Sequence, residues 1–343
     1  MTDVPSPPYP ASRPFFSPDA DLRAQYAPIQ ADLDRVDVAL ERLADGSPPL
    51  IREAAGYVVR GSGKRLRPAL LILCARASGY RGEDHVALSA VVEVIHAASL
   101  IHDDIIDGAD LRRGQATPHH RWGLRLSVLL GDFLYLKAFR LALDFKDDRI
   151  VRSLARAASH MIEGVLMECA YSRDPTTSED IYLEIVAKKT AALFAAGCSI
   201  GGILGGLAPG SIDALSRFGA GVGTAFQIVD DLLDFTGSPG ELGKPVLSDL
   251  REGRITLPLI AALRRAEPAG RERIASLLRT EALSPAAMDE ILAFVTGNGA
   301  LAEARRRAVR ETKDALACLD ALPASAHAES LRGLATLIAN RTH

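Results

Sequence analysis

The chain is short of several things, and each shortage narrows what it can do. It has no basic excess: 40 Lys and Arg against 43 Asp and Glu leave a net charge of −3, which is not the balance of a nucleic-acid binder. Its four cysteines (Cys74, Cys169, Cys198 and Cys318) form no CxxC pair and no Cys/His cluster at zinc spacing, so a reduced, cytoplasmic setting is expected. The N-terminus lacks the basic start and apolar run of a signal peptide; its first twenty residues instead hold six prolines. No transmembrane segment is expected either, because apolar stretches such as Ala191 to Leu207 are rich in Gly and Ala and fall short of the ~20 residues a span requires. Alternating strand-like runs are nearly absent.

What is present is material for a large core: 343 residues, 48% of them apolar. From Ala20 onward the apolar residues recur at three- and four-residue intervals, which predicts an all-α fold. Gly and Pro divide it into about a dozen segments, with breaks at Asp45 to Pro49, Gly61 to Gly63, Gly79 to Gly82, Asp107 to Pro118, Arg173 to Ser178, Pro209 to Ser211, Gly237 to Pro245 and Glu267 to Gly270. Thr177-Ser178-Glu179-Asp180 reads as a helix start. Residues 1–18 read as a loose lead and 19–343 as a single helical domain, since no Pro/Ser-rich linker divides the rest.

Segments Ala87 to Ile101, Ala191 to Leu204 and Gly219 to Leu233 are apolar nearly all round, so they belong inside a bundle. Charges embedded in them are therefore informative. The first such helix ends in His102-Asp103-Asp104-Ile105-Ile106-Asp107, where Asp103 and Asp107 are four apart and share one face. Like charges so placed repel unless a cation lies between them, and hard oxygen ligands suit Mg²⁺ shared with phosphate oxygens. The same DDxxD spacing returns 127 positions later as Asp230-Asp231-Leu232-Leu233-Asp234. Either cluster alone is as well explained by a solvated helix end; two, each closing an apolar helix, point to one cavity mouth with a metal site.

Cations accompany the acids. Gly61-Ser62-Gly63-Lys64-Arg65-Leu66-Arg67-Pro68 places three basic residues on a glycine-rich turn, and Arg112-Arg113-Gly114 follows the first acid motif. Such groups at a helix start offer charge and forked donors to phosphate. A solvated loop or a nucleic-acid contact is the alternative, but the neighbouring acids would repel a polynucleotide. His96 and Lys189 lie within apolar helices. A lone His there is ordinarily a satisfied core residue, and only its company raises the ligand reading.

Together these residues resemble the polyprenyl synthetase family of trans-isoprenyl diphosphate synthases. The likeness runs from Gly61 to the C-terminus through Gly63-Lys64-x-x-Arg67-Pro68, the two aspartate motifs, Asp110 to Gly114, Lys189-Thr190, Phe226-Gln227, Gly243-Lys244-Pro245 and Asp249 to Gly253. The resemblance implies an isoprenoid-synthase-type helical bundle around a deep apolar cavity, a homodimer, and three Mg²⁺ ions. It assigns Asp103 and Asp107 to two Mg²⁺ ions on an allylic diphosphate, Asp230 with Asp234 to the third, and Asp104 and Asp231 to supporting roles. Arg112, Lys189 and Lys244 would grip the allylic diphosphate; Lys64, Arg67, His96 and Arg113 would hold isopentenyl diphosphate; Thr190 and Gln227 would line the reacting carbons. Ala116, Leu247 and Arg254 stand where the family often has Pro, Gly and Lys.

The reaction implied is loss of diphosphate from the allylic C1, attack by the isopentenyl double bond, and transfer of a proton to the released diphosphate. A terpene cyclase would not need the Lys64/Arg67 element, and a non-catalytic subunit of a heteromeric synthase would have lost acids that this chain keeps. Ala98 and Ser99, one turn beneath the first motif, are small where short-chain farnesyl synthases of the family often carry aromatics. A long product of roughly C30 to C50 is expected, with geranylgeranyl or farnesyl diphosphate as the alternative.

Overall fold

Apolar residues at helical spacing do fold as helices nearly throughout the computed structural model, which describes residues 20–61, 63–237 and 247–341. The lead at 1–18, and Gly243 to Pro245 with Lys244, lie outside the described residues. The helices are α1 (Ala20–Tyr26), α2 (Gln30–Glu41), α3 (Pro49–Arg60), α4 (Leu66–Ala77), α5 (Asp84–Ile106), α6 (Pro118–Trp122), α7 (Leu124–Ala142), α8 (Asp148–Ala170) and α9 (Glu179–Val186). They continue as α10 (Ala192–Leu204), α11 (Pro209–Thr236), α12 (Ser248–Arg251), α13 (Leu257–Arg265), α14 (Pro268–Leu278), α15 (Pro285–Gly297), α16 (Ala300–Ala317) and α17 (Ala326–Asn340).

Several breaks are set by local chemistry. Ser178 caps α9 by accepting the Ile181 N–H at 3.2 Å, as expected from the sequence. The breaks expected at Pro209 to Ser211 and Glu267 to Gly270 fall slightly earlier, because Pro209 and Pro268 open helices α11 and α14 instead of ending their predecessors. Proline's fixed φ and missing N–H cost nothing in a first turn, where that donor is unpaired anyway. One departure from all-α is a small antiparallel hairpin, β1 (Leu111–Arg112) with β2 (Gln115–Ala116). Its turn places both Arg113 (φ 52°) and Gly114 (φ 74°) in the left-handed region, as a tight two-residue hairpin turn requires.

The helices pack around two apolar clusters. The larger joins α2, α4, α5 and α10, including Leu70, Leu71, Val91, Ile95 and Ile200. The second gathers α12 to α16 around Leu259, Ile291 and Val295. Helix α11 threads both: Phe218 and Val222 belong to the first cluster, Ile228 and Leu232 to the second. Helix α5 is long and apolar enough to cross a membrane by length and composition, yet 72% of its most apolar window is buried inside the protein. That is the signature of a core helix.

Between α9 and α10 the chain makes a π-helical turn at Ala187–Ala191. Such a turn widens the helix and is found preferentially at functional sites. It is closely clamped: a Cβ on Gly164 of α8 would collide with the Lys189 backbone, and one on Gly223 of α11 would lie 2.7 Å from Ala191 Cα.

Candidate active site

Both acid motifs lie at helix C-termini, where the macrodipole is negative and carboxylates are disfavoured. Three arginines, each from elsewhere in the chain, offset the charge. Arg112 of the hairpin donates to Asp104 at 2.6 Å. Arg254 reaches Asp107 at 3.0 Å across 147 residues of sequence. Arg341, near the C-terminus, lies 3.9 Å from Asp230. Asp103 faces the Lys189 ammonium instead, but burial, opposed by that ammonium and reinforced by Asp107, still raises its carboxyl above the usual range.

Within the second motif the three acids have different employment. Asp231 is buried, accepting from the Tyr182 hydroxyl at 2.5 Å and from Gln227 Nε2 at 2.8 Å. Burial, with the Asp249 carboxylate next in weight, pushes it up to about 8. Asp234 is fully buried and accepts from Ser248 N–H and Oγ–H and from Asp249 N–H, so it anchors the start of α12. Asp230 is the exposed member, its side chain 42% accessible. No pattern in the residues themselves divides the three acids in this way, beyond the family likeness that sets Asp231 aside as a supporting group.

The basic turn before α4 also divides. Arg65, left-handed at φ 51°, is buried and paired with Glu93 and Asp37, both at 2.9 Å. It is structural. Arg67, two residues on, lies over the Phe194 ring at 4.5 Å and its Nε is buried with no hydrogen-bond partner. Burial, partly offset by Glu93 and reinforced by Arg113, pushes the Arg67 guanidinium down to about 10. His96 is held neutral in the same way, driven well below its ordinary value by burial and by Arg67, Arg113, Arg112 and Arg65. Arg113, turned back by the hairpin, donates to the Gly61 carbonyl at 3.1 Å. A guanidinium desolvated as Arg67 is, with one donor unpaired, is costly without an anion. Lys64 is exposed at its edge.

The π turn delivers Lys189 and Thr190. Lys189 bonds to Glu168 of α8; burial acts to lower its pKa, but Glu168 and Asp103 outweigh it and raise it. Thr190 donates to Gln227 Oε1 at 2.8 Å, which extends a chain of hydrogen bonds to Asp231 and Tyr182. These groups and Arg254 line a cavity walled on its apolar side by Ile185, Val186 and Ile255. Ala98 and Ser99 do not line this cavity: Ala98 is fully buried in the larger cluster, and Ser99 Oγ donates back to the His96 carbonyl at 2.8 Å. Glu168 and Tyr182 carried no motif that marked them in the sequence; only the fold brings them to Lys189 and Asp231.

The donor set suits magnesium on one specific ground. Among the described residues no three His, Cys, Asp or Glu side chains converge into a ready-made metal cage. Mg²⁺ does not need one, because it is usually held by one or two carboxylates with substrate phosphates and water completing the octahedron. Asp103, Asp107 and Asp230 are the members able to serve in that way, with Arg254 paired to Asp107 where an ion would bind.

Comparison with known proteins decides the family. The family model described as polyprenyl synthetase matches residues 48–295. The chain belongs to the polyprenyl synthetase family. It is accordingly a trans-prenyltransferase built on the isoprenoid-synthase bundle. Among its relatives in the family, the octaprenyl diphosphate synthase of Escherichia coli is 36% identical over 310 residues, covering 90% of this chain and 96% of the relative. A decaprenyl diphosphate synthase from Rhodobacter capsulatus superposes with a TM-score of 0.89 at 35% identity, covering 94% of this chain and 99% of that one. A polyprenyl synthase from Caulobacter crescentus, complexed with calcium and isoprenyl diphosphate, gives 0.88 at 33% identity, covering 97% and 100%.

Proposed function

We propose that this synthase condenses isopentenyl diphosphate with an allylic diphosphate and repeats the step to a long all-trans product. The observation that carries the reading is a carboxylate lip, Asp103, Asp107 and Asp230, beside two guanidiniums, the half-buried Arg67 with an unpartnered Nε and the exposed Arg113, that flank the neutral His96. One side suits a metal-bound diphosphate and the other a second diphosphate. Magnesium, when bound, would supply positive charge against the departing diphosphate. Arg112, pre-oriented by Asp104, and Lys189, held by Glu168, bind the allylic diphosphate; Lys244 is assigned to the same group by its motif alone. Thr190 and Gln227 fix each other beside the reacting carbons, and the apolar wall limits water. Calcium in the Caulobacter relative supports a divalent ion, and the count of three Mg²⁺ ions rests on the family motif. Helix α11, shared by both apolar clusters, supports a single domain over 19–343. Buried Cys74 and Cys198, adjacent as thiols, support a cytoplasmic setting.

The test is to incubate the protein with isopentenyl diphosphate, geranyl or farnesyl diphosphate and Mg²⁺, and to size the products. Octaprenyl and decaprenyl relatives support a product in the C30 to C50 range. Ser99→Phe is the sharper probe of length, because Ala98→Phe would overpack a fully buried site at a cost of about 1–3 kcal/mol. Ser99→Phe should shorten the product while the first condensation continues; an unchanged product spectrum from an active variant would place the floor elsewhere.

A homodimer is the proposed assembly. Leu129 and Leu136 of α7 and Leu143 at its C-cap recur at seven-residue spacing and are 67%, 70% and 68% exposed, with Ile162 and Leu166 of α8 also exposed. Exposed large apolar side chains gathered in this way mark a protein-protein surface. Leu136→Asp should convert dimers to monomers in sedimentation; a monomeric wild type, or an unaffected dimer, would refute that surface.

A further inference from the structure

Arg254 is the residue whose surroundings the reaction scheme leaves unexplained. It stands where the family often has Lys, and its side chain joins parts of the site distant in sequence. One Nη meets Asp107 at 3.0 Å and also bonds to Glu252, and the other lies 3.6 Å from Asp249. Its Nε is buried with no partner. Burial acts to lower its pKa, but Asp249, Glu168, Asp107 and Asp231 together raise it. Asp249 in turn donates its N–H to Asp234, so Arg254 ties the first acid motif to the shelf on which the second is anchored.

We infer that Arg254 is the internal counter-ion of Asp107, and that a divalent ion has to compete with it for that carboxylate. The inference rests on the assignment of Asp107 to metal. A guanidinium on one oxygen of Asp107 and a dication on the same carboxylate repel each other at close range, so each weakens the other's hold. The forked, planar guanidinium suits the standby role because it spans several carboxylates at once, which an ammonium does less well. Asp249 and Glu252 remain as partners after Asp107 is released, so the charge is never left bare. The consequence is an ordered site. Metal alone binds weakly, and metal arriving with a diphosphate, which brings its own negative charge, displaces the arginine.

The experiment is Mn²⁺ binding followed by the resonance signal of the free ion, for wild type, Arg254→Gln and Arg254→Lys, with and without inorganic pyrophosphate. Wild type should take up little Mn²⁺ until pyrophosphate is added. Arg254→Gln should bind Mn²⁺ alone about tenfold more tightly or better, and its gain from pyrophosphate should shrink. Arg254→Lys, which keeps the charge and so also guards against a folding defect in the glutamine variant, should fall between them. Equal or weaker Mn²⁺ binding by both cooperatively melting variants would overturn the inference while leaving the metal reading intact. Failure of wild type to bind Mn²⁺ even with pyrophosphate would instead overturn the metal reading, and this inference with it.

Discussion

Asp103→Ala should lower kcat by about 10²-fold or more while leaving the melting temperature unchanged or higher. The two effects have one cause. Asp103 lies at the negative end of α5 beside Asp107 and Glu168, and burial already disfavours its charge. Removing the carboxylate relieves the fold of repulsion. Catalysis loses a ligand for the ion that balances charge on the leaving diphosphate, and loss of one such electrostatic contact commonly costs 10²–10³ in rate. Asp230→Ala should act in the same direction. Asp234→Ala should differ, because Asp234 is fully buried and holds the backbone of Ser248 and Asp249; its loss leaves those donors unpaired and should destabilise the protein by about 1–3 kcal/mol. Steady-state kinetics at saturating Mg²⁺, paired with thermal melts, separate the cases. Near-wild-type kcat in a folded Asp103→Ala protein would refute the metal role.

Arg67→Leu should raise KM for isopentenyl diphosphate by about 10²-fold, with a much smaller effect on the allylic substrate, and should stabilise the substrate-free protein. A hydrogen bond to a charged group contributes about 1.5–3 kcal/mol, so loss of a forked contact amounts to roughly two powers of ten at 1.4 kcal/mol each. The stabilisation follows because the wild-type guanidinium is buried with an unpaired Nε. Leucine there would pack on Phe194 without a desolvated charge. Lys64→Ala, at an exposed position, should weaken the same substrate less. Equal increases in both KM values for Arg67→Leu would mean one shared anion patch in place of two divided sites.

The sequence makes some of this architecture plain and hides the rest for physical reasons. Acids at four-residue spacing on helices with no polar face stand out because periodicity and charge are local properties. The hairpin at Leu111 to Ala116 escapes notice because two-residue strands have no alternation to detect. Arg65 and Arg67 look alike in a basic turn, yet the first is consumed by Glu93 and Asp37 and the second is not. Glu168, Tyr182 and Arg254 enter the site through contacts across 21, 49 and 147 positions, which no local pattern encodes. Leu247 is a middle case. It replaces a residue that the family often has as Gly, and the reason for glycine is visible: the position has φ 60°. A leucine there is strained by about 1–2 kcal/mol, and burial of its side chain in the second cluster, about 1.5–3 kcal/mol, offsets that strain.

The π turn at Ala187–Ala191 fixes the length of this stretch as well as its shape. A π turn carries one residue more than the α-helical turn it replaces, so Lys189 and Thr190 occupy their present azimuth only because of that extra residue. Deleting one residue of the five would close the segment as an ordinary α-helical turn with α9 and α10 still in phase, so Tyr182 and Phe194 would keep Asp231 and Arg67. Lys189 and Thr190 lie on the altered turn itself and would lose their present directions, so such a deletion would empty the site of its contacts and leave the bundle standing.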